Sequence, residues 1–435
     1  MDVISALIIL GVIMVLGFIG NFIFNRTQIP SIVWLLLFGL VVGAFLKIET
    51  FQVTNPELLM TISSFFGAIA IVIILFDGGI NTDIYQLFKG APRGLLLTAS
   101  SFFLSFFATI LFVSGLDAVR IIEVQGDSFV VGAVLGAIIG GTSSPIVIPL
   151  VYKLKNLHDK TKMVLSIESI LTDPLCIVVI FAIYYMVFVV GEINIGLGIG
   201  NLVKTFSVGI VLGFFLGFIW LFIMNKLRKE QFAYVLTLAV VFLVYSFTAL
   251  IVGIGEGGEG AGAISCLIFG LVLGNGKKVL KMVNYEGEGF EMDAETKQFH
   301  SLTSFVIRTF FFVYLGMIVS FQNINYILFG IILLLVLLGV RYIVIYISTY
   351  KGKFDRDDKQ TMFVMMPRGL AAAILAIKFG DEFVNRYIPG NVGFFKDVAF
   401  VVILGTAIIT TVGVSLICHF ETKNKKDSEA EKEGS

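Results

Sequence analysis

The chain has 435 residues, of which 57% are hydrophobic and only 14% charged, against about a quarter charged in an ordinary soluble domain. With a mean hydropathy of +0.97 and a formal net charge of zero, it reads as an integral membrane protein. Neither nucleic acid nor an acidic macromolecule is an expected partner; the lipid bilayer is.

A bilayer is crossed by about 20 apolar residues. Polar clusters divide the sequence into thirteen such runs: 4–24, 30–46, 58–76, 94–114, 128–152, 162–190, 202–224, 231–253, 259–275, 299–320, 325–349, 361–379 and 395–418. The first run is too long for a leader's apolar segment, lacks a basic preamble and has no small-residue cleavage site, so it is expected to be the first span. The longest polar stretch between spans is 276–298, so residues 1–420 read as a single transmembrane unit and 421–435 as a short polar cytoplasmic tail.

Lys and Arg collect on the cytoplasmic side of membrane proteins. With the N-terminus outside, the inner loops and tail hold 22 of the 31 basic residues. The outer side holds six, Lys47, Arg120, Lys204, Lys378, Arg386 and Lys396, and three more, Arg308, Arg341 and Arg368, fall within spans. A missed span would invert this bias, and none is inverted. The expectation is therefore a multi-pass protein of the cell membrane with thirteen spans, N-terminus outside and C-terminus cytoplasmic.

Spans 5 and 12 carry "IIGGTSSPIVIP" (138–149) and "MMPRGLAAA" (365–373), which put Gly and Pro at mid-membrane. Backbone groups there must otherwise be satisfied within the helix. If span 7 links two halves, these segments correspond, as broken helices do in inverted-repeat transporters. The plainer alternative is two proline kinks.

Span 6 carries "SIESILTDPL" (166–175). An acid at mid-membrane costs about 2.5 to 3.5 kcal/mol on insertion scales, which favours a functional reading. Ser169 and Asp173 are four apart and share a helix face, whereas Glu168 and Asp173 point roughly 140° apart, so the two acids are expected to do different things. Pro174 cannot donate to the Ile170 carbonyl and disfavours helical geometry at Asp173. Carbonyl, carboxylate and hydroxyl oxygens then suit a small hard cation. A carboxylate in a water-poor cavity can hold a proton or a cation, one at a time, which is the simplest chemistry for exchange. The alternative is a buried Asp satisfied by neighbouring hydroxyls. Glu168 calls for a bidentate arginine, and spacing leaves Arg308, Arg341 and Arg368 all open.

Asp77, in "ILFDGGINTD", closes span 3 either as a cation-access acid or as a solvated helix end. His158, His300 and His419 lie at predicted inner ends without grouping with Cys or acids. Cys176, Cys266 and Cys418 sit singly in apolar runs and read as small hydrophobes. The glycine-rich "GIGEGGEGAG" (253–262) lacks the Lys of a phosphate loop and reads as an outer loop attracting cations. No nucleophile and base at recognisable spacing and no His-Glu-x-x-His occur, so an enzyme is not expected.

Taken in order, these segments resemble the cation/proton antiporter-1 family, the NhaP-like sodium/proton exchangers. Glu168 to Asp173 resembles its Glu-Ser-Leu-Leu-Asn-Asp signature, "FDGGIN" its Phe-Glu-Gly-Gly-Leu-Asn, "RTFFFVYLG" its tenth-span motif and "PRGLAAA" its Arg-Gly segment. The resemblance implies an all-α, NhaA-like inverted repeat with discontinuous helices 5 and 12 crossing at mid-membrane. It further implies a homodimer whose six-helix core domain (about 58–152, 162–190, 259–320 and 361–418 in part) moves as an elevator against a dimerisation domain. By resemblance, Asp173 binds ion and proton; Ser169, Ser143 and Asp77 supply oxygens, the first two joining Asp173 as ligands of the metal ion, with Thr142 and Thr172 as neighbours. Glu168 corresponds to the structural acid paired with Arg341, and Arg368, Pro145 and Pro174 are supporting residues.

Two departures stand out. Ser143-Ser144-Pro145 replaces Thr-Asp-Pro, and Thr172 replaces Asn. With a single exchanging carboxylate, the expected activity is electroneutral exchange of one proton for one sodium ion, with lithium or potassium as alternative cargo and no resident cofactor. The rivals are potassium/proton exchange and a cation channel.

Overall fold

The computed structural model describes residues 3–27, 29–46, 56–118, 127–154, 157–191, 193–227, 230, 232–282, 294–319, 323–391 and 393–433, and every regular element among them is helical. In chain order these are α1 (Val3–Thr27), α2 (Ser31–Leu46), α3 (Pro56–Ile80), α4 (Ile84–Ala118), α5 (Ser128–Ile139), α6 (Ser144–Lys153), α7 (Asp159–Tyr184) and α8 (Ile195–Leu227). There follow α9 (Ala233–Val252), α10 (Gly258–Gly274), α11 (Gly276–Met282), α12 (Ala294–Ile318), α13 (Ile324–Thr349), α14 (Arg356–Val364), α15 (Leu370–Tyr387) and α16 (Phe394–Glu433). Seven of these helices are long and apolar enough to cross a membrane, and α5 with α6 makes an eighth if the bent pair is one span. Shorter apolar helices lie within α1, α2, α3 and α10. Large apolar side chains such as Leu111 (73% exposed) and Leu243 (66%) face outward, as hydrocarbon-facing residues do.

The helices depart from the sequence reading where polar residues meet good packing. α7 runs unbroken through Pro174, because its flanks are held by α4, α5 and α6. It ends in a π-helical turn, Tyr185–Val190, stopped by Gly191 at φ 81°. α4 continues across Pro92, and α11 occupies part of the polar stretch 276–298. α16 runs on through the polar tail, whose Lys, Glu and Ala are good helix formers.

Span 5 is divided. α5 ends at Gly140, the chain is extended at Ser143, and α6 restarts at a 42° bend with Pro145 in its first turn, where a missing N–H is harmless. In the segment read as span 12, α14 starts at a capping box formed by Asp355 and Asp358, and no helix runs between Val364 and Leu370, where α15 begins.

Two groupings of helices emerge. α4 packs on α5, α7 and α13, while α16 packs on α13 and α15. Elsewhere α10 packs on α3, α8 and α9, and α2 on α12. A separate apolar cluster containing Phe76, Trp220, Leu221 and Phe269 fills the α3–α8–α9–α10 group.

Candidate ion-binding site

The two breaks meet. The Ser143 N–H donates to the Pro367 carbonyl at 2.8 Å, and a Cβ on Gly369 would overlap the Ser143 side chain, so this close approach requires glycine. A helix that stops inside a buried core leaves carbonyls without partners and a negative dipole end. Buried arginines meet both. Arg368 Nη1 donates to Gly140 O at 2.8 Å and Gly141 O at 2.9 Å, which serves the end of α5. Its backbone N–H is held by Thr406 Oγ1 at 3.0 Å, and Nη2 lies 3.5 Å from Ser105 Oγ. Arg341 does the same for α14, donating from Nε to Met362 O at 3.0 Å and from Nη2 to Met362 O and Met365 O at 2.8 Å.

Arg341 also carries the ion pair. Its Nη1 and Nη2 contact both carboxylate oxygens of Glu168, Nη2 at 3.0 Å from Oε2, and Nη1 reaches Ser101 Oγ at 3.3 Å. The side chains are 3% and 1% exposed, so neither charge has water as an alternative. Of the three arginines left open by spacing, the structure pairs Arg341 with Glu168. Arg308 stands instead near Asp77, and Arg368 at the α5 carbonyls.

The other face of α7 is built differently. Thr172 Oγ1 accepts the Thr142 N–H at 2.9 Å and lies 3.3 Å from the Thr142 hydroxyl, which ties α7 to the break in span 5. Asp173 is 6% exposed, and among the described residues no hydrogen bond or ion pair reaches its carboxylate. A Cβ on Gly141 would come 3.4 Å from Asp173 Oδ1 and 2.8 Å from Cys176 Sγ, so only glycine lets the break lie this close. Ser169, on the Asp173 face, donates its hydroxyl to the Ser166 carbonyl at 3.1 Å and keeps its lone pairs. Ser143, Thr142 and Thr172 are all buried. The break therefore lies against a buried acid that, among the described residues, has no hydrogen-bonded or ion-paired partner, with Thr142 tied to the residue before it.

Asp77 lies in the last turn of α3, where Asn81 Nδ2 donates to its Oδ1 at 3.1 Å and Ser304 and Arg308 of α12 face it. A cavity of about 290 Å³ is lined by these four residues together with Ser144 and Pro145 at the start of α6. Asp77 thus sits on an approach to the break, and Asp173 does not line that cavity.

Several sequence expectations need correction. His158 does group with acids: its Nδ1 lies 3.1 Å from Asp358 Oδ2 and its Nε2 3.9 Å from Asp355 Oδ2, a proximity invisible across 200 residues of sequence. The acids of segment 253–262 carry their own cations, with Lys204 3.5 Å from Glu256 and Lys378 3.4 Å from Glu259, so the loop is less attractive to ions than it reads. His300 packs edge-on against Phe76 at 5.0 Å, and Cys176 and Cys266 are buried free thiols. The side chains of Cys418 and His419 lie outside the described residues. Sequence reasoning missed Ser101, Ser105 and Thr406, which brace the two arginines. The available signal was that a mid-span arginine needs acceptors and a broken helix offers them.

Residues 11–420 match the transmembrane sodium/hydrogen exchanger family. The chain is 26% identical over 428 residues to Na(+)/H(+) antiporter 1 of Methanocaldococcus jannaschii, covering 96% of this chain and 94% of that protein. It is 24% identical over 274 residues to the K(+)/H(+) antiporter NhaP of Alkalimonas amylolytica, covering 62% of this chain and 44% of that protein. The solved structure of the sodium proton antiporter MjNhaP1 from M. jannaschii superposes with a TM-score of 0.75 at 24% identity, covering 96% of this chain and 99% of that one, which shows a shared fold.

Proposed function

The chain belongs to the sodium/hydrogen exchanger family, and from that premise we propose that it is a monovalent cation/proton antiporter in which one proton and one sodium ion compete for Asp173. The observation that carries this reading is the contrast on α7: a buried carboxylate that has no hydrogen-bonded or ion-paired partner among the described residues lies beside the broken helix, while its neighbour Glu168 is fully paired. A lone buried carboxylate must be neutralised by a proton or a cation. Occupation of Asp173 by one excludes the other, and alternating access converts that exclusion into exchange. Thr142, Thr172, Ser143 and Ser169 offer the oxygens for sodium, and Asp77 lies on the approach. No resident cofactor has a role in this scheme; sodium, or lithium or potassium, is cargo.

The same reading takes the chain as thirteen spans with the N-terminus outside, and takes α5–α6 and α14–α15 as discontinuous spans crossing at the Ser143–Pro367 contact. The contact pattern supports drawing the mobile core around α4–α7 and α13–α16. α1–α3, α8–α10 and α12 then form the body through which two copies pair, a boundary that assigns α3, α10 and α12 to the dimerisation side. With one exchanging acid the cycle is electroneutral. In proteoliposomes with an imposed pH gradient, sodium should dissipate the gradient whether or not the membrane potential is clamped. Dissipation by potassium but not sodium would reassign the cargo, as the potassium/proton relative suggests. Non-saturable flux without proton movement would replace the antiporter with a channel.

A further inference from the structure

On the outer surface where α13, α14 and α16 meet runs a groove of about 1000 Å³. It lies at the lysine-rich end of the protein. Because α14 has nine residues, about 13 Å of helix, the groove reaches from that end towards the level of the break in span 12.

α14 sorts its side chains between two faces. Arg356, Lys359 and Phe363 turn towards the groove, at spacings of three and four that place them on one side of a helix. Asp358 turns the other way and is buried, held by His158 Nδ1 at 3.1 Å and by the Asp355 N–H at 3.2 Å. Arg356 and Lys359 are exposed, and among the described residues neither side chain makes an ion pair or hydrogen bond. Beyond these two cations the walls become apolar and aromatic: Tyr342 (69% exposed) and Tyr346 on α13, Phe363 on α14 and Leu416 on α16.

Two unpaired cations at one end of an apolar channel that faces hydrocarbon specify an amphiphile with a negative head. A free anion would leave the apolar length unfilled, and a zwitterionic lipid would leave the cations without net counter-charge. Basic pockets between membrane helices on the cytoplasmic side hold anionic headgroups by this logic. We propose that the groove binds one anionic phospholipid, with its phosphate between Arg356 and Lys359 and an acyl chain along Tyr346, Phe363 and Leu416. The site has a structural consequence. The Met362 and Met365 carbonyls of the same half-helix and its end hold Arg341, so a lipid on the outer face of α14 steadies the element that anchors the Glu168 pair.

The test uses the full chain, purified and delipidated in neutral detergent. Phosphatidylglycerol should raise its thermal midpoint and remain bound in native mass spectrometry, whereas phosphatidylcholine and inorganic phosphate should do neither. Arg356→Gln with Lys359→Gln should weaken phosphatidylglycerol binding roughly 30-fold, the sum of two surface cations. Lys351→Gln with Lys353→Gln, in the loop that precedes α14 and outside the groove, should leave binding unchanged. Equal stabilisation by phosphatidylcholine, an equal effect of phosphate alone, or undiminished lipid retention in the Arg356/Lys359 variant would each overturn the proposal. A change of oligomeric state in that variant without loss of lipid would assign the groove to a second copy of the chain and overturn it as well.

Discussion

Glu168 and Asp173 stand five residues apart on α7, at similar depth in a protein that excludes water from both, yet their surroundings are built on opposite plans. Glu168 meets a bidentate arginine, which is itself held by two backbone carbonyls and a serine hydroxyl. Around Asp173 a bare glycine comes close, the neighbouring Thr172 hydroxyl ties down the break, and among the described residues no hydrogen bond or ion pair reaches the carboxylate. The difference teaches that the cost of burying a charge is met inside the protein at one acid, and under the proposed function it is left to a transported ion at the other. The arginines make this possible. By engaging the carbonyl ends of α5 and α14, Arg368 and Arg341 offset the negative ends of two half-helices that would otherwise surround the site.

The largest effect on this contrast is expected from Glu168→Gln, which leaves Arg341 buried without a counter-charge. Thermal or denaturant unfolding in detergent should show a loss of about 3 to 5 kcal/mol. Adding Arg341→Met should recover much of it, since removing both members of a buried pair costs less than removing one. Stability unchanged by the single substitution would erase the distinction between the two acids.

Arg368→Gln should cost about 2 to 4 kcal/mol, because the Gly140 and Gly141 carbonyls lose their donor in a place without water. Exchange should fall with it, as the break in span 5 loses its brace. Next comes pH. Under the proposed competition of protons and sodium for Asp173, lowering the pH should raise the apparent KM for sodium, approaching tenfold per unit, roughly the limit of simple competition, while the maximal rate changes less. An apparent KM indifferent to pH would mean that the proton and the cation use different groups. The smallest effect belongs to Thr172→Ala, which removes the acceptor for the Thr142 N–H. About 1 kcal/mol of stability and a few-fold weaker sodium affinity are expected, and Thr172→Ser should retain both.

The helical architecture was legible in the sequence because long apolar runs and loop charge report directly on burial in a bilayer. The places of chain breakage were legible too, since Gly140, Gly141, Pro145, Pro367 and Gly369 mark them. The partners of the three intramembrane arginines were not. Two of them reach backbone carbonyls, which carry no residue signature, and the choice between Arg308, Arg341 and Arg368 as partner of Glu168 depends on how distant spans pack. The same limit hid His158 beside Asp358. Hydropathy also gave no sign of the first turn of α14, because α14 is a polar helix whose position is set by its capping box and by Arg341. Helical spacing did separate the two acids of α7, because that inference needed only one helix to be straight.

The most direct measurement is sodium-driven dissipation of a pH gradient in proteoliposomes holding wild-type protein or Asp173→Asn, with the thermal midpoint of each recorded alongside. The account predicts that Asp173→Asn falls to the level of empty liposomes while its midpoint stays at or above that of the wild type, because a buried charge that no described residue pairs with has been removed. Sodium-dependent proton movement that persists in Asp173→Asn would contradict it.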